Sequence, residues 1–175
     1  MSTAAPLRFA DSTMLPVCRL LRADRHKVAR GIAQFGKNWQ GWHYGFKLHA
    51  SIDHRGRLAA VWFTSANEAD VIQLKHLVNR TTRIVVGDAG YTAKVTRRHL
   101  WRDYRCAVIS PPRPKQTWTM ADWQHHLLKQ RPKIEAVFGK LKEHFFLVTS
   151  FPRSVQGYAL HYIRTLLGYQ VGVIS

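Results

Sequence analysis

At 175 residues the chain is long enough for one domain with a real core and too short for two comfortable ones. A content of 46% hydrophobic and 11% aromatic residues excludes a disordered chain, and two widely separated cysteines, Cys18 and Cys106, exclude a disulfide framework or a CxxC metal knuckle. With 27 Lys and Arg against 10 acids, the formal net charge is +17, a balance that asks for a polyanion; nucleic acid is the abundant cytoplasmic one.

The opening Met1 to Ser12 lacks the basic-then-apolar pattern of a signal peptide, and no run of apolar residues is long enough to span a membrane. A reduced, cytoplasmic, nucleoid-associated protein is expected. Leu7 to Ala10 forms a short candidate strand closed by Asp11. Residues 19–30 carry Arg19, Arg22, Arg25, Lys27 and Arg30 at plausible helical spacing. Gly31, Gly36, Gly41 and Gly45 then punctuate Phe35, Trp39, Trp42 and Tyr44, which reads as an irregular loop.

Phe46, Leu48, Ala50 and Ile52 alternate with Lys47, His49, Ser51 and Asp53, the period of a half-buried strand. Turn residues at 53–56 and a second strand over 58–63 make the pair a hairpin. Residues 68–78 have helical spacing, and Arg83 to Gly87 is a β-branched run suited to a central strand. A helix over 94–104 and a strand over 106–109 follow, ended by the prolines at 111, 112 and 114. Two helices close the chain, at about 132–144 and 155–171. The order β, β, β, α, β, α, β, α, α predicts an α/β fold: a mixed sheet with helices packed on it, in a single domain over 1–175.

Acids are scarce, so their positions carry information. Asp88 follows the strand 83–87 and opens Asp88-Ala89-Gly90-Tyr91, at a strand end where α/β folds place ligands. A turn residue or helix N-cap explains the same aspartate. At about 100° per residue, Arg131, Glu135 and Lys142 fall on one flank of a helix whose apolar stripe holds Ile134, Val137, Phe138 and Leu141. Taken alone, that placement is better explained by an ordinary i,i+4 ion pair between Arg131 and Glu135. If Asp11, Asp88 and Glu135 met at one sheet edge, their hard oxygens would suit Mg²⁺ or Mn²⁺, and two such ions can stabilise both the attacking and the departing oxygen of an in-line displacement.

These residues resemble the Asp-Asp-Glu transposases of bacterial insertion sequences. The resemblance runs from about Phe9 to Tyr169. It rests on Ala10-Asp11-Ser12-Thr13, Tyr44 to His49, Thr64 to Asp70, Gly87 to Tyr91, and the Arg131, Glu135, Lys142 spacing within Arg131 to Lys142. It implies a ribonuclease-H-like fold and a metal site of Asp11, Asp88 and Glu135 holding two Mg²⁺ or Mn²⁺ ions. Arg131 and Lys142 would contact transposon-end phosphates, with Tyr91 near the reacting strand. The implied reactions are hydrolysis at the element's end and attack of the freed 3′-hydroxyl on target DNA, by a homodimer that pairs two ends.

Leu128 stands where that family's final motif often has Tyr, and the usual N-terminal helical DNA-binding region is not represented ahead of Asp11. A truncated remnant that binds DNA without cleaving it, and a cellular nuclease of the same fold, are the rival readings. Residues 19–30, 35–44 and 111–131, including Arg113, Lys115, Trp118 and Trp123, are the candidate DNA surfaces, with cations on phosphates and aromatics on unpaired bases. Trp39, Trp42, Trp118 and Trp123 are equally explained as core.

Overall fold

The computed structural model describes residues 5–113, 119–148 and 151–174. Its strands are β1 (Leu7–Pro16), β2 (Gln34–Asn38), β3 (Gly41–Ile52), β4 (Leu58–Ser65), β5 (Ile84–Val86) and β6 (Ala107–Ile109). Its helices are α1 (Asp70–Gln73), α2 (Lys94–Tyr104), α3 (Asp122–Lys129), α4 (Pro132–Glu143) and α5 (Val155–Ile174). Hydrogen bonding links the strands in the order β2-β3-β1-β5-β6, with β4 also paired to β3. The sheet is mixed: β1, β5 and β6 run parallel, whereas β2 and β3 are antiparallel. The helix α2 makes the crossover between the parallel β5 and β6, whereas β2, β3, β4 and α1 lie between β1 and its parallel partner β5. This is the mixed α/β arrangement expected from the element order, and it is consistent with the ribonuclease-H-like fold that the resemblance implies.

The chain divides into two compact units. The first comprises residues 1–12, 49–62 and 69–136. Its core gathers Ala10, Leu74, Leu77, Val85, Tyr91, Leu100 and Val108, with β5 and β6 too short and too buried to carry polar alternation. Arg8 is buried there, its Nη1 donating to Leu77 O at 3.0 Å. The second comprises residues 13–48, 63–68 and 137–175. In it Phe63 stacks on Tyr162 with ring centres 5.4 Å apart, and the Tyr158 hydroxyl donates to Val17 O at 3.1 Å. Among the described residues no helix is long and apolar enough to cross a membrane.

Four expectations need correction. β1 does not stop before Asp11 but continues to Pro16, which puts Asp11 inside a strand. The glycine-punctuated stretch is a hairpin of β2 and β3, in register from Gln34 opposite Gly45 to Asn38 opposite Gly41. Glycine is demanded there by packing: a Cβ on Gly36 would lie 2.2 Å from Ala66 O, and one on Gly45 2.2 Å from Leu15 O. The helices expected at 19–30 and 68–78 shrink to a 3-10 turn at Leu20–Arg25, and to α1 followed by a 3-10 turn at Leu74–His76.

β3 is not half-buried either. Lys47, His49, Ser51 and Asp53 are all buried; the segment after β4 supplies partners for the first three, and Arg55 and Arg57 for Asp53. Lys47 Nζ donates to Glu68 O at 2.7 Å and Ser51 Oγ to Leu77 O at 2.8 Å. A buried polar group is stable once its hydrogen bonds are made.

Candidate functional site

The acids that matter lie in the first unit. Asp11 enters from β1, where the Ser12 N–H donates to its Oδ1 at 2.8 Å. Asp88 follows β5 and accepts from the Gly90 N–H at 2.8 Å, capping the short turn Ala89–Tyr91. Asp88 is therefore a cap, and its charge also acts on Asp11. Gly90 is required for that cap, since a Cβ there would lie 2.8 Å from Asp88 Oδ1.

Arg131 connects the other members. Its Nη2 donates to Asp11 Oδ2 at 2.7 Å and its Nη1 to Glu135 Oε1 at 2.7 Å. The expected i,i+4 pair on α4 is thus present, but the same guanidinium also spans to a strand 120 residues earlier in sequence. Its Nε is buried with no hydrogen-bond partner among the described residues. Each nitrogen of the fork thus makes one charge-assisted bond to a different carboxylate, Asp11 mostly buried and Glu135 largely exposed.

Burial pushes the Asp11 carboxyl up to about 6; Arg131 and the Ser12 N–H oppose that rise, while Asp88 and Asp70 add to it. Three carboxylates thus share one electrostatic neighbourhood, and a hard cation would relieve their cost. Among the described residues no three His, Cys, Asp or Glu side chains converge closely enough to hold one ion as they stand. Arg131 supplies the positive charge between Asp11 and Glu135 instead. The donor set, carboxylate oxygens alone, fits a hard divalent cation in its chemistry, with Asp11 mostly buried and Glu135 largely exposed.

Two participants escaped the sequence reading. Asp70, first residue of α1, acts on both Asp11 and Tyr91, and its Oδ1 lies 3.5 Å from Nδ1 of the fully buried His49. The scarcity of acids could have flagged Asp70. Nothing in the period-2 pattern of β3 could have flagged His49, which that pattern assigns to the solvent side.

The remaining expected residues fall as follows. Tyr91 is 1% exposed, its ring against Gly87, where a Cβ would lie 2.5 Å from the ring. In this structure it is a core residue of the first unit. Burial raises its hydroxyl well above the ordinary range, and Asp70, Asp11 and Asp88 add to the rise. Arg113 donates to Ala89 O at 3.1 Å, next to Asp88 in sequence. Lys142 belongs to the second unit, where burial lowers its pKa and its charge helps to lower that of His43. Lys115 and Trp118 lie outside the described residues.

Trp39, Trp42 and Trp123 are 90%, 55% and 53% exposed, which removes them from the core. Within the candidate DNA surface at 111–131, Asp122–Lys129 form the helix α3. A family model described as a transposase DDE domain matches residues 1–155 of the chain.

Proposed function

The chain belongs to the transposase DDE domain family, and from that premise we propose that it cleaves DNA at the ends of a mobile element and joins them to a target, using Asp11, Asp88 and Glu135 with divalent metal. The observation that carries this reading is the buried Asp11 carboxyl, raised to about 6 beside Asp88 and Asp70 and tied through Arg131 to Glu135. Holding the Asp11 carboxyl in a buried site costs stability, and a cation that uses it would account for that cost.

Asp11 and Asp88 would hold the ion, with Glu135 completing the set once Arg131 lets go. Bound there, Mg²⁺ or Mn²⁺ would activate the attacking oxygen and stabilise the departing one. The Ser12 N–H orients Asp11, and the Gly90 N–H orients Asp88. Arg131 neutralises Asp11 and Glu135 in the metal-free protein; its fork equally matches a phosphate, so a guanidinium released from the carboxylates has DNA to pair with. Lys142 is proposed as a second phosphate contact. No side-chain nucleophile is needed, because water attacks first and the freed 3′-hydroxyl second. Pairing of two ends by a homodimer belongs to the same proposal.

The test is incubation with DNA carrying the inverted repeats that flank the coding sequence, with Mg²⁺ or Mn²⁺, comparing the wild type with Asp88→Asn. Metal-dependent nicking that the substitution abolishes is the expected result. Nicking that survives it removes the site assignment, and binding without nicking in the wild type assigns the chain to the non-catalytic remnants.

A further inference from the structure

The second unit carries a cleft of about 630 Å³ whose lining the catalytic reading leaves unused. Arg19, Arg22, Arg25, Lys27 and Arg153 line it, and no acidic side chain does so among the described residues. Five cations around one concavity repel each other and concentrate a positive field inside it. An anion is the ligand such a field selects.

The rest of the lining is largely apolar, and it includes two aromatic rings. Tyr158 is anchored by its bond to Val17 O. Phe151 leaves 59% of its surface exposed, although it sits in a segment with a cavity to pack into. His26 lines the same cleft, and its Nε2 is buried with no hydrogen-bond partner among the described residues. Cations for phosphates together with an open aromatic face for a base is the pairing used by proteins that bind single strands.

We propose that this cleft binds a single strand of DNA, with its phosphates on Arg19, Arg22 and Arg25 and one unpaired base on Phe151. The inference rests on the DNA-acting reading above but uses none of its carboxylates. The volume lies within the ~300–1,000 Å³ range of sites that enclose small ligands, which accommodates one nucleotide and its phosphate. A duplex keeps its bases in the stack and presents only outer phosphates to such a cleft, so it forfeits the aromatic part of the binding.

Cys18 provides the probe. It lines the cleft and is part exposed, whereas Cys106, the other cysteine of the sequence, is buried. The experiment measures maleimide labelling of Cys18 in the intact protein, in EDTA, with and without an oligothymidylate of about 12 nucleotides, a length within known single-strand site sizes. Bound oligonucleotide is expected to slow labelling at least about tenfold, and a duplex of equal length to slow it much less. Phe151→Ala is expected to weaken single-strand binding about tenfold and duplex binding little.

Replacing Arg19, Arg22 and Arg25 together by Gln should reduce the slope of log K against log salt by about 2 for the single strand. The matched control replaces Arg55, Lys75 and Arg98, exposed cations of the first unit, by Gln and should leave both Cys18 protection and that slope largely unchanged.

Equal weakening by the two triple variants would mean that binding follows net charge alone, and the proposal falls. It falls equally if Cys18 labels at an unchanged rate while the strand is bound, or if inorganic phosphate protects it as well as the strand does. Loss of Cys18 protection leaves the nicking reading intact. Conversely, nicking that survives Asp88→Asn leaves the cleft result intact.

Discussion

Replacing Asp11 by Asn is expected to make the metal-free protein more stable at neutral pH, although it removes an acid from the proposed site. Asn reproduces the protonated carboxyl in size and removes its charge. Burial and the neighbouring carboxylates raise the Asp11 carboxyl from 3.8 to about 6 in the folded chain, and that value already includes the attraction of Arg131. At about 1.4 kcal/mol for each tenfold change, the ionised side chain costs the fold on the order of 3 kcal/mol. For a chain of this size the gain corresponds to a rise in Tm of roughly 6–12 °C.

The pH dependence has a definite sign. An acid held more weakly ionised in the folded state binds its proton longer there than in the unfolded chain. The penalty is therefore absent below about pH 4, grows between about pH 4 and 6, and is complete above 6. Thermal melts by circular dichroism in EDTA at pH 4, 5, 6 and 7.5 should show wild type and Asp11→Asn converging at the acid end and separating towards neutrality. Adding millimolar Mg²⁺ at pH 7.5 should raise the wild-type Tm and leave the variant unmoved, because a ligand stabilises only the form it binds. A variant that melts at or below the wild type at pH 7.5 refutes the claim that Asp11 is an electrostatically strained carboxylate.

Gly87→Ala places a Cβ 2.5 Å from the Tyr91 ring and should cost about 1–3 kcal/mol by overpacking, read as a lower midpoint in urea. Burial pushes the Asp53 carboxyl up, but the Arg57 side chain and N–H and the Arg55 N–H overcome this and hold it below the ordinary carboxylate range. Its contribution is thus present above about pH 4 and lost as the pH falls through the depressed folded value. Asp53→Asn should destabilise by about 2 kcal/mol at pH 7 and by progressively less in acid, read from the same urea titrations.

The amino-acid sequence by itself determined the elements whose patterns do not depend on neighbours. The β-branched run at 84–86, the apolar stripe of α4 and the long α5 were legible because buried strands and helix faces repeat locally. Asp88 was legible for the same reason: a strand followed by Asp-Ala-Gly-Tyr is a local signal, and its Gly90 cap is a local bond. The family was legible too, since its motifs are short segments kept in order along the chain.

Tertiary structure alone decided what the polar residues do. Period-2 alternation placed Lys47, His49, Ser51 and Asp53 in water, yet all four are buried: the segment following β4 returns to meet the first three with carbonyls and a carboxylate, and Arg55 and Arg57 hold Asp53. Local spacing gave Arg131 one partner, Glu135 on the same helix, and could not show the second, Asp11, brought from 120 residues away by the fold. Alternation and helical spacing encode which side chains share a face of one element. What covers that face, and whether a charge there finds a counter-charge, depends on segments distant in sequence. The influence of Asp70 on Asp11, and Arg153 joining the basic stretch 19–27 around one cleft, are consequences of that kind.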